Sequence, residues 1–251
     1  VDRLDYSSDT TTAAAKGPLN TAVQRNSGIG NNDYGYSIGG GTPEVTTVDR
    51  IDYSNDTATA SPKGPLDTAR NALAATGNAS YGYFGGGSPG PYSTVSRIDY
   101  SNDTATAPQV ASMPNSYQHM STVGNTNYAW AQPGYGPAGS SLQRLDYGND
   151  TASTLPRATN PESNAGDSTG NQHYGYFSIK HPETSIYRLE YANDTAATIF
   201  RAYRSVPSGI FSGGAASNSS YGYFAGGQQN GGTGSTTMDR IDYSNDTATA
   251  V

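Results

Sequence analysis

Apolar and aromatic residues occur along this chain in short alternating runs of strand length, separated by glycine, asparagine and aspartate. In STVSRIDYSND, which begins at Ser93, Val95 and Arg97 would share one strand face and Ile98 and Tyr100 the other. The preceding YGYFGGG has aromatic residues two apart and stops at a glycine run, which is typical of another strand. The SND predicts a turn, because Asn and Asp side chains bond to nearby backbone, and TATA then predicts a short edge strand.

One segment is ambiguous, because GPLDTARNALAATGN from Gly64 also carries apolar residues at helical spacing. The matching segments elsewhere contain Pro114 and Pro161, which do not suit a helix interior. We therefore expect a loop followed by a strand over about 71–76, with Gly77-Asn78 as the hairpin turn into YGYF.

These patterns recur along the whole chain. The eleven residues RIDYSNDTATA occur three times unchanged and three times in looser form, and the steps between their first arginines are 47, 47, 47, 44 and 52 residues. The arginines are Arg3, Arg50, Arg97, Arg144, Arg188 and Arg240. The aromatic motif keeps the same spacing, starting at Tyr34, Tyr81, Tyr174 and Tyr221, with YAWA at Tyr128. Periods of about 20–50 residues indicate solenoids, propellers or arrays.

Four antiparallel strands in a unit of about 47 residues form the blade of a β-propeller. The predicted fold is thus an all-β propeller of about five four-stranded blades in a single repeat domain over 1–251. The predicted blades are 14–60, 61–107, 108–154, 155–198 and 199–251, with an extra half-blade at 1–13.

One terminal hairpin does not belong to a complete blade, since the chain contains six RIDY-type hairpins but five YGY-type strands. Unpaired sheet edges recruit partners. The spare hairpin at 1–13 either marks the boundary of a longer repeat array or links neighbouring chains head to tail, which gives a filament when the rotation does not close.

Composition changes this picture in one respect. Leu, Ile, Val and Phe total 31 of 251 residues, a fraction typical of disordered chains, but 20 tyrosines are available to build a core. We expect a thin, tyrosine-rich core, with a disordered Gly/Ser/Thr polymer as the alternative.

The chain has no cysteine and a net charge of -7 without a basic stripe, which disfavours disulfides and nucleic-acid binding. No apolar run approaches the length of a membrane span.

The order of motifs in one unit resembles the kelch family. Arg70, NALAAT, Gly77-Asn78, YGYFGGG and SRIDYSND follow one another as in a kelch-like blade. The glycine doublet recurs at Gly39-Gly40, Gly85-Gly86 and Gly226-Gly227, whereas the third and fourth copies lack it. TATA stands where the family has a tryptophan, which argues against the intracellular adaptor branch.

The amino-acid sequence of the repeats is also similar to that of repeats in tail or appendage proteins of aquatic bacteriophages. That resemblance implies a structural or adhesive component of a virion appendage or extracellular filament, located at the virion surface or outside the cell. Its partners would be copies of itself, other structural proteins of the assembly, or surface glycans. The alternative function is a soluble propeller that binds a sugar or peptide at one mouth.

The third unit supplies the candidate ligand-binding residues. Its SYQHM and YAWAQPGYGP segments contain Tyr117, His119, Trp130 and Tyr135, and aromatic rings on loops are common sugar-stacking platforms. The competing interpretation is a locally repacked blade in which Trp130 fills space.

The acidic turn allows two interpretations. Asp52, Asn55 and Asp56 could hold Ca²⁺ through oxygen ligands, but a turn with side chain-to-backbone bonds needs the same residues. Similarly, the Arg50 and Asp52 pair, present in every copy, forms either a ring of recognition sites or a salt-bridge ladder between blades. Its presence in every copy favours the ladder.

Asn-x-Ser/Thr tripeptides predict candidate glycosylation sites at Asn55, Asn102, Asn149, Asn193 and Asn245. Catalytic signals are weak: no G-x-S-x-G elbow is present, the glycine runs at 39–41 and 85–87 lack the Lys-Ser/Thr ending of a phosphate loop, and the three histidines fall in different units. We therefore predict no enzymatic activity, no catalytic residue and no cofactor, with calcium as the lesser alternative.

Overall fold

The computed structural model describes residues 1–90, 92–134, 140–160, 165–179, 184–205, 213–227 and 234–250. Its strands form antiparallel sheets, with the strands of each sheet adjacent in chain order. The sheets are β1 (Asp2–Arg3) and β2 (Ala14–Ala15); β3 (Ser27–Gly30), β4 (Tyr34–Ile38), β5 (Val48–Asp52) and β6 (Ser61–Pro62); β7 (Ala74–Gly77), β8 (Tyr81–Gly85), β9 (Tyr92–Asp99) and β10 (Gln109–Tyr117); β11 (Ser121–Gly124), β12 (Tyr128–Gln132), β13 (Ser141–Asp146) and β14 (Leu155–Thr159); β15 (Ala165–Gly170), β16 (Tyr174–Ile179), β17 (Ser185–Glu190) and β18 (Ile199–Tyr203); and β19 (Gly214–Ser217), β20 (Tyr221–Ala225) and β21 (Met238–Asp242).

The sheets after the first hairpin are the five blades, and the prediction of an all-β repeat fold is confirmed. The described residues contain no α-helix, and no described helix is long and apolar enough to cross a membrane. Four blades have four strands, and three strands are described in the fifth. The strand predicted at about 71–76 lies at Ala74–Gly77, and the ambiguous segment before it is not helical.

Short polar side chains shape the turns of each blade. In the first blade Asn31 Oδ1 accepts hydrogen bonds from the backbone N–H groups of Asp33 and Tyr34, both at 2.9 Å, which fixes the tight turn from β3 into β4. After β5, Asp52 accepts from the Ser54 N–H at 2.9 Å and caps a 3₁₀ turn over Tyr53–Asn55. The predicted Gly-Asn and acidic turns are therefore confirmed.

TATA was wrongly predicted to be the edge strand. Its alanines bond to the neighbouring blade: the Ala107 N–H donates to the Pro65 carbonyl at 3.0 Å, and the Ala60 N–H donates to the Pro18 carbonyl at 2.9 Å. The outer strand of each complete blade starts after this contact, at β6, β10, β14 or β18. The sheets consequently run over 27–62, 74–117, 121–159, 165–203 and 214–242, so all five begin after the predicted start of their blade and the first four also end after its predicted end.

The hydrophobic core lies between blades. Tyr36 and Ile38 of the first blade pack with Phe84 and Ile98 of the second, and all four are nearly inaccessible to solvent. The same type of cluster recurs around the ring, so each blade is held by the faces it shares with its neighbours. The predicted tyrosine-rich core is confirmed, with buried rings at Tyr36, Tyr83, Tyr117, Tyr176 and Tyr223.

A glycine in the middle of the YGY motif lets adjacent blades approach closely. A Cβ atom at Gly82 would collide with the side chain of Ile29 in the preceding blade and would lie 2.8 Å from Tyr100 Oη. The neighbouring ring and side chain therefore occupy the space that any larger residue would need.

The N-terminal hairpin occupies a sixth position in the ring. Arg3 pairs with Ala14 across β1 and β2 in the register in which Arg50 pairs with Ser61 across β5 and β6. Thus β1 and β2 correspond to the outer two strands of a blade. The inner strands pack side by side from β3 through β7, β11 and β15 to β19, whereas β19 and β3 share no contact of that extent.

Replacing Tyr83 by alanine should destabilise the fold strongly. Its ring is 2% exposed and stacks on Tyr147 with 4.8 Å between centroids. Tyr83→Ala should lower the free energy of unfolding by about 3–5 kcal/mol in a urea melt, as for other buried aromatic deletions. Tyr83→Phe, which keeps the ring, is the matched control and should cost less. A loss below about 1 kcal/mol for the alanine variant would contradict the assigned packing.

Candidate functional site

Two features concentrate the chemistry-bearing side chains, and the first is a contact repeated between successive blades. Asp103, on the turn of the second blade, accepts a hydrogen bond from Tyr36 Oη at 3.0 Å and from the Arg50 guanidinium at 2.8 Å. Both donors belong to the first blade. Equivalent donor pairs reach Asp150 from Tyr83 and Arg97, Asp194 from Trp130 and Arg144, Asp246 from Tyr176 and Arg188, and Asp9 from Tyr223 and Arg240.

Aromatic rings complete this contact, which we call the inter-blade clamp. The Arg50 guanidinium lies 4.2 Å from the centroid of the Tyr34 ring, a cation–π distance. Tyr100, on the turn of the second blade, stacks on Tyr36 with 5.1 Å between centroids. Each clamp therefore joins an ion pair, a hydrogen-bonded ring and a stacked ring across one blade boundary.

The clamp decides between the alternatives left open by the acidic turns. Arg50 pairs with Asp103 of the next blade rather than with Asp52, so the ladder between blades is confirmed with a different acidic partner. Asp52 instead accepts from Ser54, and Asp56 pairs with Arg3 and Lys16. The carboxylates proposed as calcium ligands thus act in the turn and the clamp. The described residues contain no cluster of three or more His, Cys, Asp or Glu that could hold a metal ion.

The N-terminal hairpin, predicted to be a spare half-blade, joins the fifth blade to the first through the same clamp. Asp9 accepts from Tyr223 Oη at 2.7 Å and from Arg240 at 2.8 Å, and Tyr6 stacks on Tyr223. On the other side, Arg3 donates to Asp56 of the first blade at 2.6 Å. The bonds from Tyr223 and Arg240 hold the pKa of Asp9 below its usual value, while burial and the Asp9 carboxylate raise the pKa of Tyr223 to about 12.

The second feature is a cavity of about 510 Å³ at one mouth of the ring, lined by the first part of all five inner strands and by the turns before several of them. Arg25, Ala72 and His119 lie there, 47 residues apart, with positive φ angles of 57°, 52° and 54°. The Ala72 N–H donates to the Arg25 carbonyl at 2.9 Å, and the His119 N–H donates to the Ala72 carbonyl at 2.8 Å. Left-handed backbone at non-glycine residues stores strain and is enriched at ligand sites.

A buried arginine supports one of these leading turns. Arg70 is inaccessible to solvent and donates to Asp67 and Ser96, both at 2.9 Å, and to Thr94 at 3.0 Å. The carbonyl of Arg70 accepts from the Gly40 N–H of the preceding blade at 3.0 Å. The bonds of the buried Arg70 and of Gly40 thus fix the backbone of the turn that leads into β7 beside the cavity.

The charges at the mouth have opposite signs. Arg25 and Asp167 both line the cavity, and Asp167 lies 3.5 Å from Arg204 in an ion pair. Most of the remaining lining is backbone and small side chains. Such a site can offer a polar ligand backbone hydrogen bonds and the charge of Arg25, while the charge of Asp167 is paired with Arg204.

The structure does not assemble the predicted aromatic platform. Trp130 is fully buried, donates from Nε1 to Asp194 and stacks on Tyr191 at 4.2 Å, so it takes the place that tyrosine has in the other clamps. Tyr117 is 2% exposed in the core. These two predictions are corrected because neither ring offers a face to a ligand. His119 lies at the central mouth, and Tyr135 falls outside the described residues.

A different signal locates the mouth. Arg25 and Ala72 occupy the position of His119 in the two preceding units, and the 47-residue period could have grouped the three without any aromatic pattern. The five predicted glycosylation sites remain predictions, with every acceptor on an exposed turn: Asn55, Asn102, Asn149, Asn193 and Asn245.

Comparison with known proteins identifies the architecture. No protein-family model matches this chain, and no curated protein sequence matches it. A solved structure described as that of YjhT matches with a TM-score of 0.72 over 90% of this chain and 83% of that chain, at 13% sequence identity. YjhT is a β-propeller. The fold of this chain is a β-propeller. At this identity the likeness extends to the propeller fold alone.

Deleting residues 1–13 should destabilise the propeller. The deletion removes Asp9 from Tyr223 and Arg240 and removes the Tyr6 ring that covers Tyr223. We expect the melting temperature to fall by about 4–8 °C, the change that a loss of about 2 kcal/mol produces in a domain of this size. Thr12→Ala, at an exposed position of the same hairpin, is the control. An unchanged melting temperature would show that the hairpin is a passive extension.

Acid should destabilise the propeller below about pH 4. Hydrogen bonds from turn serines hold the pKa values of Asp52, Asp99 and Asp242 below 3.8 in the folded chain. A carboxyl with a lowered folded pKa contributes stability above its unfolded pKa and loses that contribution as the pH falls through the folded pKa. Calorimetry between pH 6 and pH 2.5, roughly, should show a melting temperature that drops in acid, and Ser101→Ala should weaken the dependence. A flat profile would contradict the assigned bonds.

Proposed function

We propose that this propeller is a non-enzymatic structural and adhesive module of a virion appendage or extracellular filament. The observation that supports the proposal best is the repetition of the inter-blade clamp. At five blade boundaries an arginine and an aromatic donor of one blade bind an aspartate of the next, as Arg50 and Tyr36 bind Asp103. Because these side chains act in the scaffold, the proposal assigns them no catalytic step.

The repeated turns suit attachment. Four of the five clamps hold an Asn-Asp-Thr turn whose Asn and Thr are exposed, as Asn102 and Thr104 are, against the neighbouring blade. A ring of similar weak contacts gains avidity when several engage a surface together. The kelch-like order of motifs and the resemblance to bacteriophage appendage repeats are consistent with this role, with copies of the chain, other structural proteins or surface glycans as partners.

The central cavity favours a second candidate, a soluble propeller that binds a sugar or peptide at one mouth. Its volume of about 510 Å³ is within the range of small-molecule sites. The left-handed backbone at Arg25, Ala72 and His119 directs the leading turns around that space. This candidate predicts a monomer whose ligand affinity depends on the mouth.

Immunogold electron microscopy of native material separates the two candidates. Antibodies raised against the purified chain should label virion appendages or extracellular filaments in a regular pattern. Antibody depleted with the purified chain is the control. Label confined to soluble protein would overturn the structural proposal. Saturable binding of a sugar or short peptide that is lost in His119→Ala and retained in Asp5→Asn would then support the second candidate.

A further inference from the structure

One boundary of the ring lacks half of its clamp. Tyr53 is the first-blade counterpart of Tyr100, yet no described ring stacks on it, and it is 49% exposed. Its neighbour Asp56 pairs with Arg3 and Lys16 of the hairpin, whereas Asp103 also receives a tyrosine hydroxyl. At the boundaries that carry Asp103, Asp150, Asp246 and Asp9, a tyrosine of the preceding blade donates its hydroxyl to the carboxylate.

The contacts of the middle glycine of the YGY motif also differ at this boundary. A Cβ atom at Gly82 would meet Ile29 of the preceding blade, and a Cβ atom at Gly222 would meet Thr169. At Gly35 the three nearest atoms all belong to Tyr53 of its own blade. The side chain that a preceding inner strand would direct at Gly35 is thus absent among the described residues.

The strands around this position are correspondingly exposed. Gly28 and Gly30 of β3 and the residues 214–216 of β19 are exposed, in contrast to the half-buried or buried β11. The edge of β1 that faces away from β2 pairs with no described strand. Leu4 is half-buried, while its counterpart Ile98 is 4% exposed. The space matches the two inner strands of a sixth blade.

We propose that this position binds a two-stranded hairpin with the chemistry of the repeat's own inner strands. The acceptor consists of Arg3, Gly35, Tyr53 and Asp56 together with the β1 edge. The incoming second strand pairs with β1, and its second tyrosine stacks on Tyr53 and donates its hydroxyl to Asp56. The incoming first strand places a small or β-branched side chain against Gly35.

The propeller itself defines this partner. The boundaries that carry Asp103, Asp150 and Asp246 show the same acceptor filled by a strand with a tyrosine in this register. In strand addition, main-chain hydrogen bonds provide affinity and side-chain contacts provide specificity. The inference is independent of the proposed location, since the acceptor can bind such a hairpin whether or not the chain belongs to an appendage.

The test uses a synthetic peptide with the sequence of residues 72–87, ALAATGNASYGYFGGG. Titration of the full chain into fluorescently labelled peptide should give saturable 1:1 binding by anisotropy. A peptide with the substitution Tyr83→Ala should bind about tenfold more weakly or worse, because it lacks both the stacked ring and the hydroxyl donor. A scrambled peptide is the composition control.

Protein variants locate the binding. Tyr53→Ala should weaken peptide binding by about tenfold or more, because it removes the stacking face. Tyr203→Ala removes another exposed tyrosine, 51% accessible on β18, and should leave the affinity unchanged. Equal affinity for the scrambled peptide, or equal losses in the two variants, would overturn the proposal.

A fused hairpin provides a second measurement that does not require a soluble peptide. Val1 corresponds to Val95, so the segment 72–94 placed directly before Val1 has the natural register. The fusion should melt at a higher temperature than the same fusion with Tyr83→Ala in the added segment, because a bound element stabilises the folded state. Equal melting temperatures together with non-saturable peptide binding would refute the acceptor, while the electron-microscopy result would be unaffected.

Discussion

The shared carboxylate of the inter-blade clamp is the interaction on which the ring depends. Asp103 is 7% exposed and would be costly to bury alone, but the Arg50 guanidinium, the Tyr36 hydroxyl and the Lys63 ammonium group surround it. Charged groups that are both paired and hydrogen-bonded offset much of their desolvation cost. Because donors and acceptor lie in different blades, each clamp also sets the angle and register between neighbours.

A chain with few aliphatic residues folds because the clamp recruits tyrosine into the core. The ring of Tyr83 fills the space between blades, and its hydroxyl donates to Asp150 at 2.8 Å. The middle glycine of the YGY motif admits the neighbouring blade, as Gly82 admits Ile29. Trp130 satisfies the same geometry through Nε1, which explains the one departure from tyrosine in a clamp.

The inter-blade clamp also connects the two ends of the ring. Asp9 of the N-terminal hairpin receives Tyr223 and Arg240, and Arg3 reaches the first blade, so two short strands connect the fifth blade to the first. The inner half of that position is empty in the described part of the chain. The proposed hairpin acceptor at this position and the cavity between the inner strands are separate surfaces of the ring.

The sequence by itself determined the repeat, the all-β class, the number of blades and their turns, because these follow from local patterns such as YGYF and the Gly-Asn pair repeated at one spacing. It also indicated a salt-bridge ladder between blades. Only the tertiary structure decided that Arg50 binds Asp103 rather than Asp52, that TATA contacts the adjacent blade, and that Trp130 is buried. It likewise placed the N-terminal hairpin in the ring. These choices depend on which residues of different repeats meet across a boundary, and identical repeats give no sequence signal that distinguishes a contact within one blade from the same contact between two.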